Sequence, residues 1–292
     1  MALLSKILVP VEFSPRCLGS AQYAEALACR FHSELVLLHV RAPSSLPYSA
    51  PDVMAYASVL EMDAGLAERL QAQLDEFPIQ GPGGGPVTRV LLEGDPARAI
   101  VEFAQEGRFD LIVMPTHGYG PFRNFLLGSV TAKVLHDAQC PVWTGPHMES
   151  APAYEAVSFH TIMCALDLQA ESPAVLAWAG ACAREFGGKL HIVHVIQTSG
   201  ASAGGFHFDL DWRDELARQA RVAIESLQAE AGTSGEVSIE IGETPAGIRD
   251  AAERLRADVL VIGRGRRAGM LGRLRTNAYA ILREAPCPVA AV

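Results

Sequence analysis

A chain of 292 residues, 49% hydrophobic and 20% charged, is long enough for two domains of ordinary size. Its composition lies near the globular average, which excludes collagen-like, wholly disordered and disulfide-stapled miniature proteins. With 33 acidic side chains against 24 basic ones the net charge is −9, so nucleic acid and anionic membrane surfaces are not expected partners.

In chain order, the apolar run Ile7 to Phe13 belongs to a strand expected near Ser5 to Glu12. It is too short for a signal sequence or a membrane span. A helix over Pro15 to Phe31 leads to a strand over Glu34 to Val40 and a second helix over about Val53 to Phe77. The glycine-rich turn Gly81 to Gly85 is not followed by Lys-Ser/Thr or a helix start, so it is no P-loop. Strands then follow over Val87 to Leu92, Leu111 to Pro115 and Val142 to Thr144, with helices over Pro96 to Glu106 and Ser129 to Asp137 between them. The alternation is that of parallel strands joined by crossover helices. The segment Gly145 to Ser158, with Pro146 and Pro152, reads as a linker.

Beyond the linker the pattern begins again. Ile7 to Glu12 corresponds to Ile162 to Asp167, and Leu37 to Val40 to Ile192 to Val195, both at an offset of 155 residues (Ile7 to Ile162). Asp110 to Met114 corresponds to Asp258 to Ile262 at 148 residues (Asp110 to Asp258), and Cys140 to Val142 to Cys287 to Val289 at 147 (Cys140 to Cys287). The second copy has its own loose loop, Thr198 to Phe208. The expected architecture is α/β, with two doubly wound parallel-sheet domains of Rossmann-like type in tandem, at 1–146 and 159–292.

Ligands of such sheets bind beyond the carboxyl ends of the strands, where strand order reverses. Glu12 follows the first strand, and Pro115, Thr116, His117 and Gly118 follow the fourth. Gly128 and Ser129 open a helix, whose free N–H groups and positive dipole end suit a phosphate. Ser129 has two readings, a phosphate donor and a simple N-cap. His117 reads either as a phosphate contact or as a solvent-exposed loop residue. His39 and His194, repeated at strand ends, read as structural hydrogen-bonding groups rather than metal ligands. Arg264, Arg266, Arg267, Arg273 and Arg275 make a local basic patch, expected to be a solvated surface paired with neighbouring carboxylates, the alternative being an anion site. The cysteines Cys17, Cys29, Cys140, Cys164, Cys182 and Cys287 form no Cys-x-x-Cys pair, and a reducing, cytoplasmic location is expected.

The stretch Met114, Pro115, Thr116, His117, Gly118, nine residues, Gly128, Ser129, Val130, with Ala138 to Val142 downstream, resembles the universal stress protein family. The opening Ile7 to Ser14 and the Gly94-Asp95-Pro96 turn resemble it too. The resemblance implies the adenine nucleotide alpha hydrolase-like fold and ATP, with or without Mg, as ligand. It implies phosphate contacts at Gly118, Gly128, Ser129 and Val130, with Thr116 and His117 in the same loop. Adenine and ribose contacts fall on Pro10, Val11, Glu12, Val40, Met114 and Pro115. Pro115 stands at the family's first glycine and has no N–H, and Glu12 stands where members usually carry Asp. In the second copy the loop reads Gly263, Arg264, Gly265, Arg266, and Arg275-Thr276 replaces Gly-Ser, which implies a lost phosphate cradle.

No nucleophile elbow, metal motif or pyrophosphatase loop is present, so at most slow ATP hydrolysis is expected. The leading expectation is a cytoplasmic stress-response or signalling protein with one adenine nucleotide in its first domain. The alternative is a scaffold that works through protein contacts. A homodimer and an unidentified protein partner are compatible with either.

Overall fold

The computed structural model describes residues 3–43, 53–116, 127–145, 148, 159–197, 210–265 and 276–292. In the first half, strands β1 (Lys6–Pro10), β2 (Glu34–Arg41), β3 (Thr88–Glu93), β4 (Leu111–Val113) and β5 (Val142–Thr144) alternate with helices α1 (Pro15–Phe31), α2 (Val53–Asp75), α3 (Pro96–Glu106) and α4 (Ser129–Asp137). In the second half, β6 (Thr161–Ala165), β7 (Lys189–Gln197), β8 (Glu236–Gly242), β9 (Val259–Ile262) and β10 (Val289–Ala291) alternate with α5 (Ser172–Phe186), α6 (Leu210–Ala231), α7 (Thr244–Leu255) and α8 (Thr276–Glu284). Most of the linker expected at Gly145 to Ser158, and all of the loop expected at Thr198 to Phe208, lie outside the described residues.

All ten strands join one sheet in the order β3-β2-β1-β4-β5-β10-β9-β6-β7-β8. The order within each half is the same, read outward from the centre. Pairing is parallel within each half and antiparallel only between β5 and β10, where Trp143 faces Ala290.

Local chemistry explains where these elements begin. Ser14 caps α1 by accepting the Cys17 N–H at 3.2 Å, and Asp95 caps α3 by accepting the Arg98 N–H at 3.0 Å, each followed by proline in the first turn. Left-handed residues recur at corresponding positions: Phe13 with Leu168, His32 with Gly187, Arg108 with Arg256. Buttressing recurs as well. Asp110 Oδ2 accepts the N–H groups of Ser5 and Lys6 at 2.7 and 2.9 Å, and Asp258 Oδ2 those of His160 and Thr161 at 2.7 and 2.8 Å. The repeat is thus one of backbone strain and hydrogen bonding, not only of hydropathy.

Because side chains alternate across a strand, each sheet face buries its own set. Ile7, Val9, Leu35, Leu37 and Val113 pack on one face with α1, α2, α5 and α6. Leu8, Val36, Leu38, Ile112 and Met163 pack on the other with α3, α4, α7 and α8. Aromatic rings join the halves: Trp143 lies 5.8 Å from Tyr23 and 5.5 Å from Phe159, and the corresponding residues Phe31 and Phe186 meet edge to face at 5.3 Å.

Candidate functional site

Strand order reverses between β1 and β4, which pair through Ile7 with Leu111 and Leu8 with Ile112. Beyond this point the chains leaving β1, β2 and β4 gather at one end of the sheet. Pro10 ends β1, and the next N–H, that of Val11, still donates to Leu38 O at 2.8 Å. Val11, Val40 and Met114 are buried, so this end of the crevice has an apolar lining. Glu12 is half-buried and its Oε1 accepts the Ser14 hydroxyl at 2.9 Å, which fixes the carboxylate beside the start of α1.

Between Glu12 and Ser14 the chain passes through Phe13 at φ 65°, with its ring 4.6 Å from that of His39. A left-handed non-glycine residue costs roughly 1–2 kcal/mol. The His39 ring donates from Nδ1 to Val11 O at 2.7 Å, and His194 donates to Leu166 O at 2.8 Å. Both histidines therefore brace the crossing beyond the first strand of their half, as the structural reading of these residues expects.

After β4, Met114 N–H donates to Trp143 O at 3.1 Å, but Pro115 has no N–H and the strand stops at Val113, short of the expected Pro115. Pro115 O accepts the Thr131 hydroxyl at 3.0 Å, and Thr116 O accepts the Gly128 N–H at 2.8 Å. These two bonds hold the start of α4 against the end of β4. His117 and Gly118 lie outside the described residues.

The N-cap of α4 is Gly128, with no side-chain cap, and Ser129 is the first helical residue. Of the two readings of Ser129, the N-cap does not hold. The first intrahelical bond runs from Ala132 N–H to Gly128 O at 2.8 Å, so the N–H groups of Ser129, Val130 and Thr131 precede the helical ladder. While α1 and α3 receive a serine and an aspartate as caps, α4 receives no side-chain cap among the described residues. The Gly128 N–H, engaged by Thr116, is not among the groups it offers.

The second half departs from this plan. Asp167 Oδ1 accepts the Ser172 hydroxyl at 3.2 Å and the Gln169 N–H at 3.0 Å, much as Glu12 holds Ser14. In the loop after β9, however, the Gly265 N–H donates to Glu171 Oε2 at 2.9 Å. Arg264 is only 5% exposed, and its guanidinium donates to Ala138 O at 2.7 Å and Leu135 O at 3.5 Å, at the carboxyl end of α4. Arg264 is therefore no part of the solvated patch expected from the sequence. A cation at a helix carboxyl end satisfies terminal carbonyls and complements the dipole, an arrangement set by a contact 126 residues away. Arg266, Arg267, Arg273 and Arg275 lie outside the described residues, and α8 begins at Thr276.

Burial pushes the thiols of Cys17, Cys182 and Cys287 up to about 12, which removes them as nucleophiles near neutral pH. Among the described residues no group of three His, Cys, Asp or Glu side chains could hold a metal ion, and no helix is long and apolar enough to cross a membrane. A groove of about 700 Å³ lined by Arg184, Lys189, His191 and Thr233 lies at the amino-terminal ends of β7 and β8, the end of the sheet opposite the switch points.

The signature of the Universal stress protein family matches residues 4–144 and again 158–292. The chain belongs to that family. It is similar to Universal stress protein MJ0531 of Methanocaldococcus jannaschii, 31% identical over 143 residues, covering 48% of this chain and 81% of that protein. It is also similar to Universal stress protein Rv2005c of Mycobacterium tuberculosis, 32% identical over 136 residues, covering 47% of this chain and 43% of that one. A crystal structure of a universal stress protein from Archaeoglobus fulgidus shares the fold over nearly the whole length, with a TM-score of 0.66 at 22% identity, covering 98% of this chain and 97% of that chain.

Proposed function

We propose that this universal stress protein binds one adenine nucleotide, ATP with or without Mg, in its first domain (1–146), and that it acts in the cytoplasm in a stress response or in signalling. One observation carries this reading: the glycine-capped amino end of α4 at the switch point, without a side-chain cap among the described residues and tethered to β4 by Gly128 and Thr131. The N–H groups of Ser129 and Val130, with the Ser129 hydroxyl, suit phosphate oxygens. Pro10, Val11, Val40, Met114 and Pro115 offer the base an apolar wall, and Glu12 offers the base or ribose a carboxylate acceptor. The further phosphate contacts of this reading are Thr116 and, outside the described residues, His117 and Gly118. In the second domain (159–292) Arg275-Thr276 stands in place of Gly128-Ser129, and this reading gives it no phosphate cradle. Among the described residues no general base is in place, and hydrolysis is at most slow in this reading.

Mass spectrometry of the natively purified, then denatured protein tests the reading. The expected result is a co-purified adenine nucleotide that is lost in Gly128→Arg, while the circular dichroism spectrum is unchanged. An absence of bound nucleotide together with no binding of added ATP contradicts it. The second reading, a scaffold or homodimer working through protein contacts, is favoured by the missing N–H of Pro115 and by the structural use of Arg264.

A further inference from the structure

Among the described residues Arg264 is the one charged side chain that is buried. Taking a guanidinium out of water is costly unless its donors are met. Here Nη1 donates to Ala138 O at 2.7 Å and, at the limit of a hydrogen bond, to Leu135 O at 3.5 Å, in the carboxyl cap and last turn of α4. Arg264 itself belongs to the other half. Counted from the buttressing aspartates Asp110 and Asp258, it stands where Thr116 stands in the first half, and Thr116 O holds the amino end of α4 through the Gly128 N–H. One position of the repeat thus grips α4 twice, once at each end.

The other contacts hold the carboxyl end less firmly. The Lys133 ammonium lies 3.7 Å from an Asp95 carboxylate, but both side chains are more than half exposed, and such pairs contribute little. Val134 and Leu135 are buried, and apolar packing is non-directional, so it presses α4 onto the sheet without fixing its place along its own axis. Nor does charge act along the helix. Nine residues span about 14 Å, which exceeds the screening length at physiological ionic strength, and a terminal charge is felt only within the adjoining turn. What travels is displacement. A hydrogen-bonded helix is stiff, so a shift at its carboxyl end moves the N–H groups of Ser129 and Val130 with it, and a binding constellation tolerates only about 0.5 Å of such movement.

We propose that Arg264 is a positioning residue for the site of the opposite half: it sets the place of α4 and, through it, of the N–H groups offered to the phosphates. The phosphate part rests on the nucleotide reading given above, whereas the positioning of α4 stands without it.

Two measurements on the full chain test it, both made well below the melting temperatures of the variants. In ligand-free protein, hydrogen exchange followed by NMR compares Ala132, whose N–H makes the first ladder bond of α4 to Gly128 O, with Leu18, which makes the corresponding bond of α1 to Ser14 O. Arg264→Ala speeds exchange at Ala132 about 10-fold and leaves Leu18 as in wild type, and Arg264→Lys recovers part of the protection. Unchanged exchange at Ala132, or an equal rise at Leu18, overturns the positioning of α4. In calorimetry, Arg264→Ala lowers ATP affinity about 2- to 30-fold, the range for residues coupled to a site they do not touch, while adenosine affinity stays as in wild type and Arg264→Lys restores part of the loss. Equal ATP affinity, or a parallel fall for ATP and adenosine, overturns the link to the phosphates. Wild-type protein that binds neither ATP nor adenosine removes the nucleotide reading and that link with it, and exchange at Ala132 still decides whether Arg264 positions α4.

Discussion

Ser129 occupies the first helical position of α4 rather than its cap, so its hydroxyl is not needed to start the helix. Ser129→Ala is therefore expected to weaken ATP binding about 10- to 100-fold, the effect of losing a hydrogen bond to a charged group worth about 1.5–3 kcal/mol. Calorimetry and thermal melting check it together: unchanged affinity with early melting would return Ser129 to a purely structural role. Thiol reactivity follows from burial. At pH 8 a maleimide is expected to modify the half-buried Cys29 and Cys140 in the native protein and to spare Cys17, Cys164, Cys182 and Cys287 until denaturant is added. Peptide mapping reads the order, and early labelling of Cys164 would contradict the packing of β6. At this scale the sequence was informative where chemistry is local. His39 and His194 carried their bracing role in their repetition, whereas the partners of Arg264 and Glu171, at 126 and 94 residues' distance, required the folded chain.

Among the elements, the boundaries of α1, α3, α4 and β5 agree with expectation because capping residues, prolines and glycines punctuate them locally. The expected ends of β1 and β4 run too far, since apolar character continues through Val11 and Met114 after the strands stop, at Pro10 and Val113. Pro115 explains the second case by its missing donor. Helix α4 is held at both ends by contacts of different origin, the β4 tether at its start and the Arg264 guanidinium at its finish. Arg264→Ala should cost about 1.5–3 kcal/mol, the range for hydrogen bonds to a charged group, because two terminal carbonyls lose their donor. Urea unfolding measures this, and a loss below about 0.5 kcal/mol, the size of an ordinary surface substitution, would mean that the buried guanidinium contributes little. For comparison, removing the Ser14 cap of α1 by Ser14→Ala should cost about 1 kcal/mol, read in the same way.

Over the whole molecule, the two halves share one sheet through the antiparallel β5–β10 pair and an aromatic cluster centred on the buried Trp143. Truncating that side chain, as Trp143→Ala, should destabilise the protein by about 3–5 kcal/mol, as for other large-to-small core substitutions. Circular dichroism in urea should then reveal whether both halves lose stability together, as a shared core requires. The central claim is that a duplicated fold retains one adenine nucleotide site and has turned the corresponding loop of its second half to structural use. Equilibrium dialysis of the full chain against labelled ATP tests it most directly. The account predicts saturation at one nucleotide per chain, abolished by Gly128→Arg; saturation at two per chain, or tight binding retained in Gly128→Arg, would contradict it.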